Sequence, residues 1–173
     1  AVQRGVGAAA PAATESAIQV FGVSATAALY RRRSLETVAR GAEVFDPRLG
    51  SYYEDTDLAC RLRAAGAGAL LVPRARALHA GSTTGRTRSR ERWRLIYGNR
   101  FLVAAELLGR AFWPRLPRML MRDLRDLVRA GIAADGAKLA GIVTGWGRAA
   151  GRLRSFAHRG APRIDLGLLA QLR

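Results

Sequence analysis

The chain has a single cysteine, Cys60, and a single lysine, Lys138. One thiol cannot close an internal disulfide or build a thiolate metal cluster, which suits a reducing compartment. Long apolar runs are also missing. The best candidate is broken by Asp135, Lys138 and Arg148 and falls short of the roughly 18 to 20 residues a spanning helix needs. Association with a membrane would therefore be peripheral. Neither an initiator methionine nor an apolar leader opens the sequence, so the chain reads as one that begins inside something larger. Acidic residues are scarce as well, 13 against 29 basic ones, and the net charge is +16. That excess would draw the chain to polyanions such as nucleic acid, anionic lipid or phosphorylated substrates. Codon bias toward Arg, Ala and Gly in a GC-rich genome explains the same composition.

With 173 residues, 49% of them hydrophobic, there is enough chain for one domain with a core and an appendage. Residues 1–17 read as a loop or a truncated edge. An α/β segment fills 18–89, a basic helical extension 90–157 and a tail 158–173. Ile18 to Tyr30 reads as a buried strand, with a short helix starting at Ser34. Within it Ser24 and Ala25 are small enough to let a ligand, or another element, approach the backbone. Asp46-Pro47 starts a turn. Ala69 to Val72 is a second strand ended by Pro73, and Ala75 to Leu78 an extended piece that delivers His79 to a glycine-rich loop. Beyond it, Trp93, Ile96, Tyr97, Phe101, Leu102 and Ala105 recur at helical spacing. Arg118 to Ile132 is a basic amphipathic helix whose apolar face is Leu120, Leu124, Leu127, Val128 and Ile132. Its face would pack on protein or lie on a membrane surface. A third helix, Lys138 to Phe156, is weakened by Gly141, Gly145, Gly147 and Gly151.

Chemistry concentrates at Tyr52-Tyr53-Glu54-Asp55-Thr56-Asp57-Leu58, where aromatic rings meet three carboxylates at a helix start. Unpaired backbone N–H groups and the helix dipole stabilise anions there. Asp55 would cap the helix and Asp57 sit in its first turn.

The ordered set Phe45-Asp46-Pro47-Arg48, Tyr52 to Leu58, Arg61-Leu62-Arg63-Ala64-Ala65-Gly66, Val72-Pro73 and His79 resembles the C-terminal half of a family 2 glycosyltransferase. Among such enzymes it is most similar to the rhamnosyltransferase-like ones of bacterial surface polysaccharides. Ala28 to Arg32 and Tyr97-Gly98-Asn99-Arg100 also match, and the likeness covers roughly residues 20 to 105. The resemblance implies the C-terminal part of a GT-A (nucleotide-diphospho-sugar transferase) domain, of α/β class, followed by amphipathic helices. It implies inverting transfer from a nucleotide-diphosphate sugar to an acceptor hydroxyl, with Asp55 as the base. Glu54, Tyr53, Ser24 and Ala25 would meet the acceptor, Asp57 would be structural, and His79 would ligate a divalent cation, Mg or Mn, in the complete enzyme. The acceptor would be a polyprenyl-linked sugar at the anionic inner face of the plasma membrane, and no specific nucleic acid is expected. The family's donor-side Asp-x-Asp motif does not precede residue 20, so the chain resembles a fragment that holds the base and lacks the donor site. A basic nucleic-acid-binding module, suggested by Trp93 and Tyr97 among arginines, and a non-catalytic membrane-surface scaffold are the competing readings.

Overall fold

The computed structural model describes residues 16–77 and 89–157. Over these the chain is mostly helical, with one small antiparallel sheet of two strands. It divides into two compact units. One comprises 16–46 and 54–77, and the other comprises the loop 47–53 together with 89–157.

In the first unit, β1 (Ile18–Val20) pairs antiparallel with β2 (Ala69–Leu71), Ile18 facing Leu71 and Val20 facing Ala69. The long buried strand expected from Ile18 to Tyr30 is thus only three residues, and its first two are exposed. The strand has already ended at Val20, and Ala25–Ala27 coils into a 3-10 turn instead. Helix α1 (Arg32–Val38) begins two residues ahead of Ser34 and packs on α2 (Glu54–Ala64).

Few apolar side chains are buried here, with Leu58 and Cys60 of α2 the main ones. Arginines supply much of the remaining cohesion. Arg61 binds Asp57 at 2.9 Å and donates to the carbonyls of Val38 at 2.5 Å and Val44 at 2.7 Å. Arg63 donates to Val20 at 2.5 Å and Phe21 at 2.8 Å, tying the end of β1 to α2. A guanidinium suits this task because its five N–H donors lie in a rigid fork that can serve several loop carbonyls at once. Gly22 belongs to the same contact, since a Cβ there would collide with the Ala59 side chain.

The second unit is a helical bundle of α3 (Arg90–Leu108), a 3-10 segment (Gly109–Arg115), α4 (Leu116–Ile132) and α5 (Gly136–Phe156). Ser89 caps α3 by accepting from Arg92 N–H at 3.2 Å, and Asp135 caps α5 by accepting from Lys138 N–H at 3.0 Å. Helices α3 and α5 form the main pairing. Their backbones come close because Gly141 and Gly145 face α3. A Cβ on Gly141 would run into the Trp93 Cβ, and one on Gly145 would lie 2.9 Å from the Arg94 carbonyl oxygen and 3.0 Å from the Tyr97 Cβ. Phe101, Leu102, Phe112, Ile142 and Phe156 fill the core.

Candidate functional site

Helix α2 opens on three acids, Glu54, Asp55 and Asp57, all in its first turn. Because the helix starts at Glu54, Asp55 lies inside the first turn and is not the cap expected from the sequence. Its Oδ1 accepts from the adjacent Thr56 N–H at 2.7 Å and pairs with the Thr56 hydroxyl at 3.3 Å. The chain enters the helix through Tyr52 and Tyr53, both left-handed, with φ of +67° and +72°. Two consecutive tyrosines in that region cost about 1 to 2 kcal/mol each, so other contacts must enforce the conformation.

Asp57 is turned inward and is 1% exposed. It meets Arg61 at 2.9 Å and Arg40 at 3.4 Å, while Arg40 also reaches the buried Asp46 at 3.2 Å. A carboxylate so deeply enclosed by cations holds α2 to the preceding loops. Glu54 is different. Its Oε2 is buried with no hydrogen-bond partner among the described residues. Burial pushes its carboxyl above the ordinary value, a bond to its own backbone N–H opposes the shift, and the neighbouring Asp55 adds to it. Tyr30 lies close enough to Asp55 to feel its charge, and burial followed by that charge raises the phenol. Glu54, Asp55 and Tyr30 are therefore the ionisable groups gathered at this end of α2. In the exposed turn after β1, the Ser24 hydroxyl pairs with that of Thr26 at 3.2 Å, and Ala25 is exposed beside it. His79 lies outside the described residues.

Cys60, two turns along α2, is buried, and burial together with the Asp57 charge pushes its thiol up to about 12. A nucleophilic thiol needs the opposite environment. Among the described residues no group of three or more His, Cys, Asp or Glu side chains comes together as a cation site.

The loop 47–53 is organised by a residue that sequence reasoning matched but gave no role. Asn99 of α3 is fully buried, and its Nδ2 lies 2.9 Å from the carbonyl oxygens of Leu49 and Ser51 and 2.8 Å from that of Tyr52. Its Oδ1 accepts from Arg148 Nε at 3.0 Å, and Arg148 also donates to the carbonyls of Arg48 and Leu49. This lock holds the loop that ends in Tyr52 and Tyr53. An asparagine inside an otherwise apolar helical stripe was the available signal, because a buried amide must find partners. Arg148 had no comparable mark among so many arginines.

A second polar cluster ties the three helices together. Arg100 of α3 pairs with the fully buried Asp123 of α4, which also accepts from Trp146 Nε1 at 2.9 Å, and the Tyr97 hydroxyl donates to Asp126 at 3.0 Å. Burial first, and then the bond to Asp126, raises the Tyr97 phenol far above its usual range. No family model, no curated protein and no solved structure gave a significant match to this chain.

Proposed function

We propose that the chain is the acceptor side of an inverting glycosyltransferase of the GT-A type, with Asp55 as general base. One observation carries the reading most directly: the first turn of α2 presents two adjacent carboxylates, Glu54 and Asp55, beside the Tyr30 phenol. An acceptor hydroxyl is a poor nucleophile at neutral pH, and a carboxylate within hydrogen-bond reach must take its proton as it attacks the anomeric carbon. The N-terminal end of a helix favours the ionised form that such a base requires. Glu54, with an oxygen that has no hydrogen-bond partner among the described residues, is suited to hold a neighbouring hydroxyl of the same acceptor. Asp57 keeps the turn in place through Arg40 and Arg61. The donor would be a nucleotide-diphosphate sugar and the acceptor a sugar on a polyprenyl carrier. Every step assigned here runs through these side chains.

The test is sugar transfer by the protein expressed from its native reading frame, across a panel of nucleotide-diphosphate sugars. Asp55→Asn keeps the shape of the side chain and removes its basicity, so the rate should fall by about 10²- to 10⁴-fold with little change in stability. Transfer by this variant at the wild-type rate would remove Asp55 as the base.

The aromatic residues that suggested a nucleic-acid module are engaged within the helical unit. Tyr97 is 4% exposed, and the Trp93 ring lies 6.1 Å from it, with the Lys138 ammonium 5.0 Å above Trp93. Rings so occupied do not offer a stacking platform for bases.

A further inference from the structure

Helix α4 packs against its unit through an unexpected face. Its fully buried side chain is the charged Asp123, joined by Ala130, whereas its apolar stripe points outward. Leu120 is 41% exposed, Leu124 46%, Met121 and Val128 55% each and Ile132 82%. Arg118, Arg122, Arg125 and Arg129 are exposed on the same helix, and at 3.6 residues per turn they form a band along one border of that stripe. A shallow groove lined by Met121, Leu124, Arg125, Val128 and Arg129 runs over the helix surface. The stripe and the band are continuous.

From this arrangement we infer that α4 is a membrane-binding surface that lies in the plane of an anionic bilayer. Charge complementarity selects the occupant. A protein partner covering five apolar residues would bring its own apolar side chains, but it would also have to neutralise a row of arginines along the whole helix. An anionic bilayer meets both demands at once, because acyl chains receive the apolar stripe and headgroup phosphates meet the guanidinium band. Arginine stems can lie along the apolar surface while their heads reach up to the phosphates. Asp123 and Asp126, the only acids on α4, are taken up by Arg100, Trp146 and Tyr97 on the inner side, so they do not repel the membrane. No helix among the described residues is long and apolar enough to cross a bilayer, so α4 would lie along the surface. The inference stands independently of the glycosyl-transfer reading.

The test is flotation of the whole protein with vesicles of phosphatidylcholine alone and of phosphatidylcholine mixed with phosphatidylglycerol. Binding should require phosphatidylglycerol and weaken as salt is raised. Each arginine of the band replaced by glutamine should lower partitioning about fivefold, so the variant Arg118→Gln, Arg122→Gln, Arg125→Gln, Arg129→Gln should lose several hundred-fold, to order of magnitude. The variant Met121→Ser, Val128→Ser, Ile132→Ser should also bind at least tenfold more weakly, with an unchanged far-ultraviolet circular dichroism spectrum, since these side chains are exposed. Wild-type protein that stays free of anionic vesicles would overturn the inference. So would a serine variant that binds as wild type, because attraction would then come from charge elsewhere. A wild-type dimer that the serine variant turns into a monomer in sedimentation velocity would instead assign the face to a second copy of the chain, and would overturn it too.

Discussion

Arginine does two different jobs in this chain, and composition alone could not separate them. Arg40, Arg61, Arg63, Arg100 and Arg148 hold buried carboxylates, loop carbonyls or both. Hydrogen bonds to charged donors contribute about 1.5 to 3 kcal/mol each, so Arg40, Arg61 and Arg63 replace part of a core that the first unit lacks. Part of the net charge of +16 is therefore internal bracing. The three acids of α2 divide in the same way. Their position at a helix start was readable from Leu58, Leu62 and Gly66, and Arg61 meets Asp57 at ordinary i,i+4 helix spacing, but the inward turn of Asp57 also depends on Arg40, 17 residues away, whose reach no spacing rule predicts. Glu54 gives a sharp test. Its folded carboxyl binds a proton more tightly than the unfolded one, so the native state holds more protons in that window and stability falls as pH rises above the ordinary value of 4.5. Glu54→Gln removes this dependence. The variant should match the wild type in thermal melts at low pH and become the more stable of the two as pH rises above the ordinary carboxylate value.

At the scale of elements, α3, α4 and α5 lie close to where the sequence put them, α3 capped by Ser89 and ended by Gly109, α4 amphipathic, and α5 capped by Asp135. What the periods do not carry is which face meets a neighbour. The stripe of α4 was expected to pack on protein or lie on a membrane, and within its unit it is exposed, because Asp123 finds Arg100 and Trp146 on the opposite side. A buried, paired acid outweighed the usual preference of an apolar stripe for the interior. The glycines of α5 were likewise read as a loss of helix stability, yet Gly141 and Gly145 are where α3 approaches, while Gly147 and Gly151 face open space. Gly141→Ala should therefore cost about 1 to 3 kcal/mol through overpacking against Trp93. Gly147→Ala should stabilise by up to about 1 kcal/mol, since only helix propensity changes. Urea denaturation of the two variants decides between a packing role and simple tolerance, and two stabilised variants would refute the packing role at Gly141.

The two units of the molecule differ in what holds them. The first has a two-stranded sheet with exposed Ile18, Leu70 and Leu71, a small buried set on α2 and a network of arginine bonds. The second has a continuous core along α3 and α5. Slow hydrogen exchange follows burial and contact density, so amides of α3 from Tyr97 to Leu108 should exchange slowest, and those of β1 and β2 by far faster local opening. Equal protection in the two regions would contradict this distribution. The α/β order read from the sequence appears in the structure only as this small antiparallel pair beside helices. Strand signals were short apolar runs, and such runs do not reveal how many partners a sheet will have.

The capture of loop 47–53 by Asn99 and Arg148 also sets an order of events in time. Leu49 leaves the ribosome 50 residues ahead of Asn99 and 99 residues ahead of Arg148. At synthesis rates of about 5 to 20 residues per second, its carbonyl waits roughly 5 to 20 seconds for the guanidinium that completes the lock. During that interval the lock is incomplete, and the stretch that leads into the first turn of α2 takes its final shape only after α5 has been made.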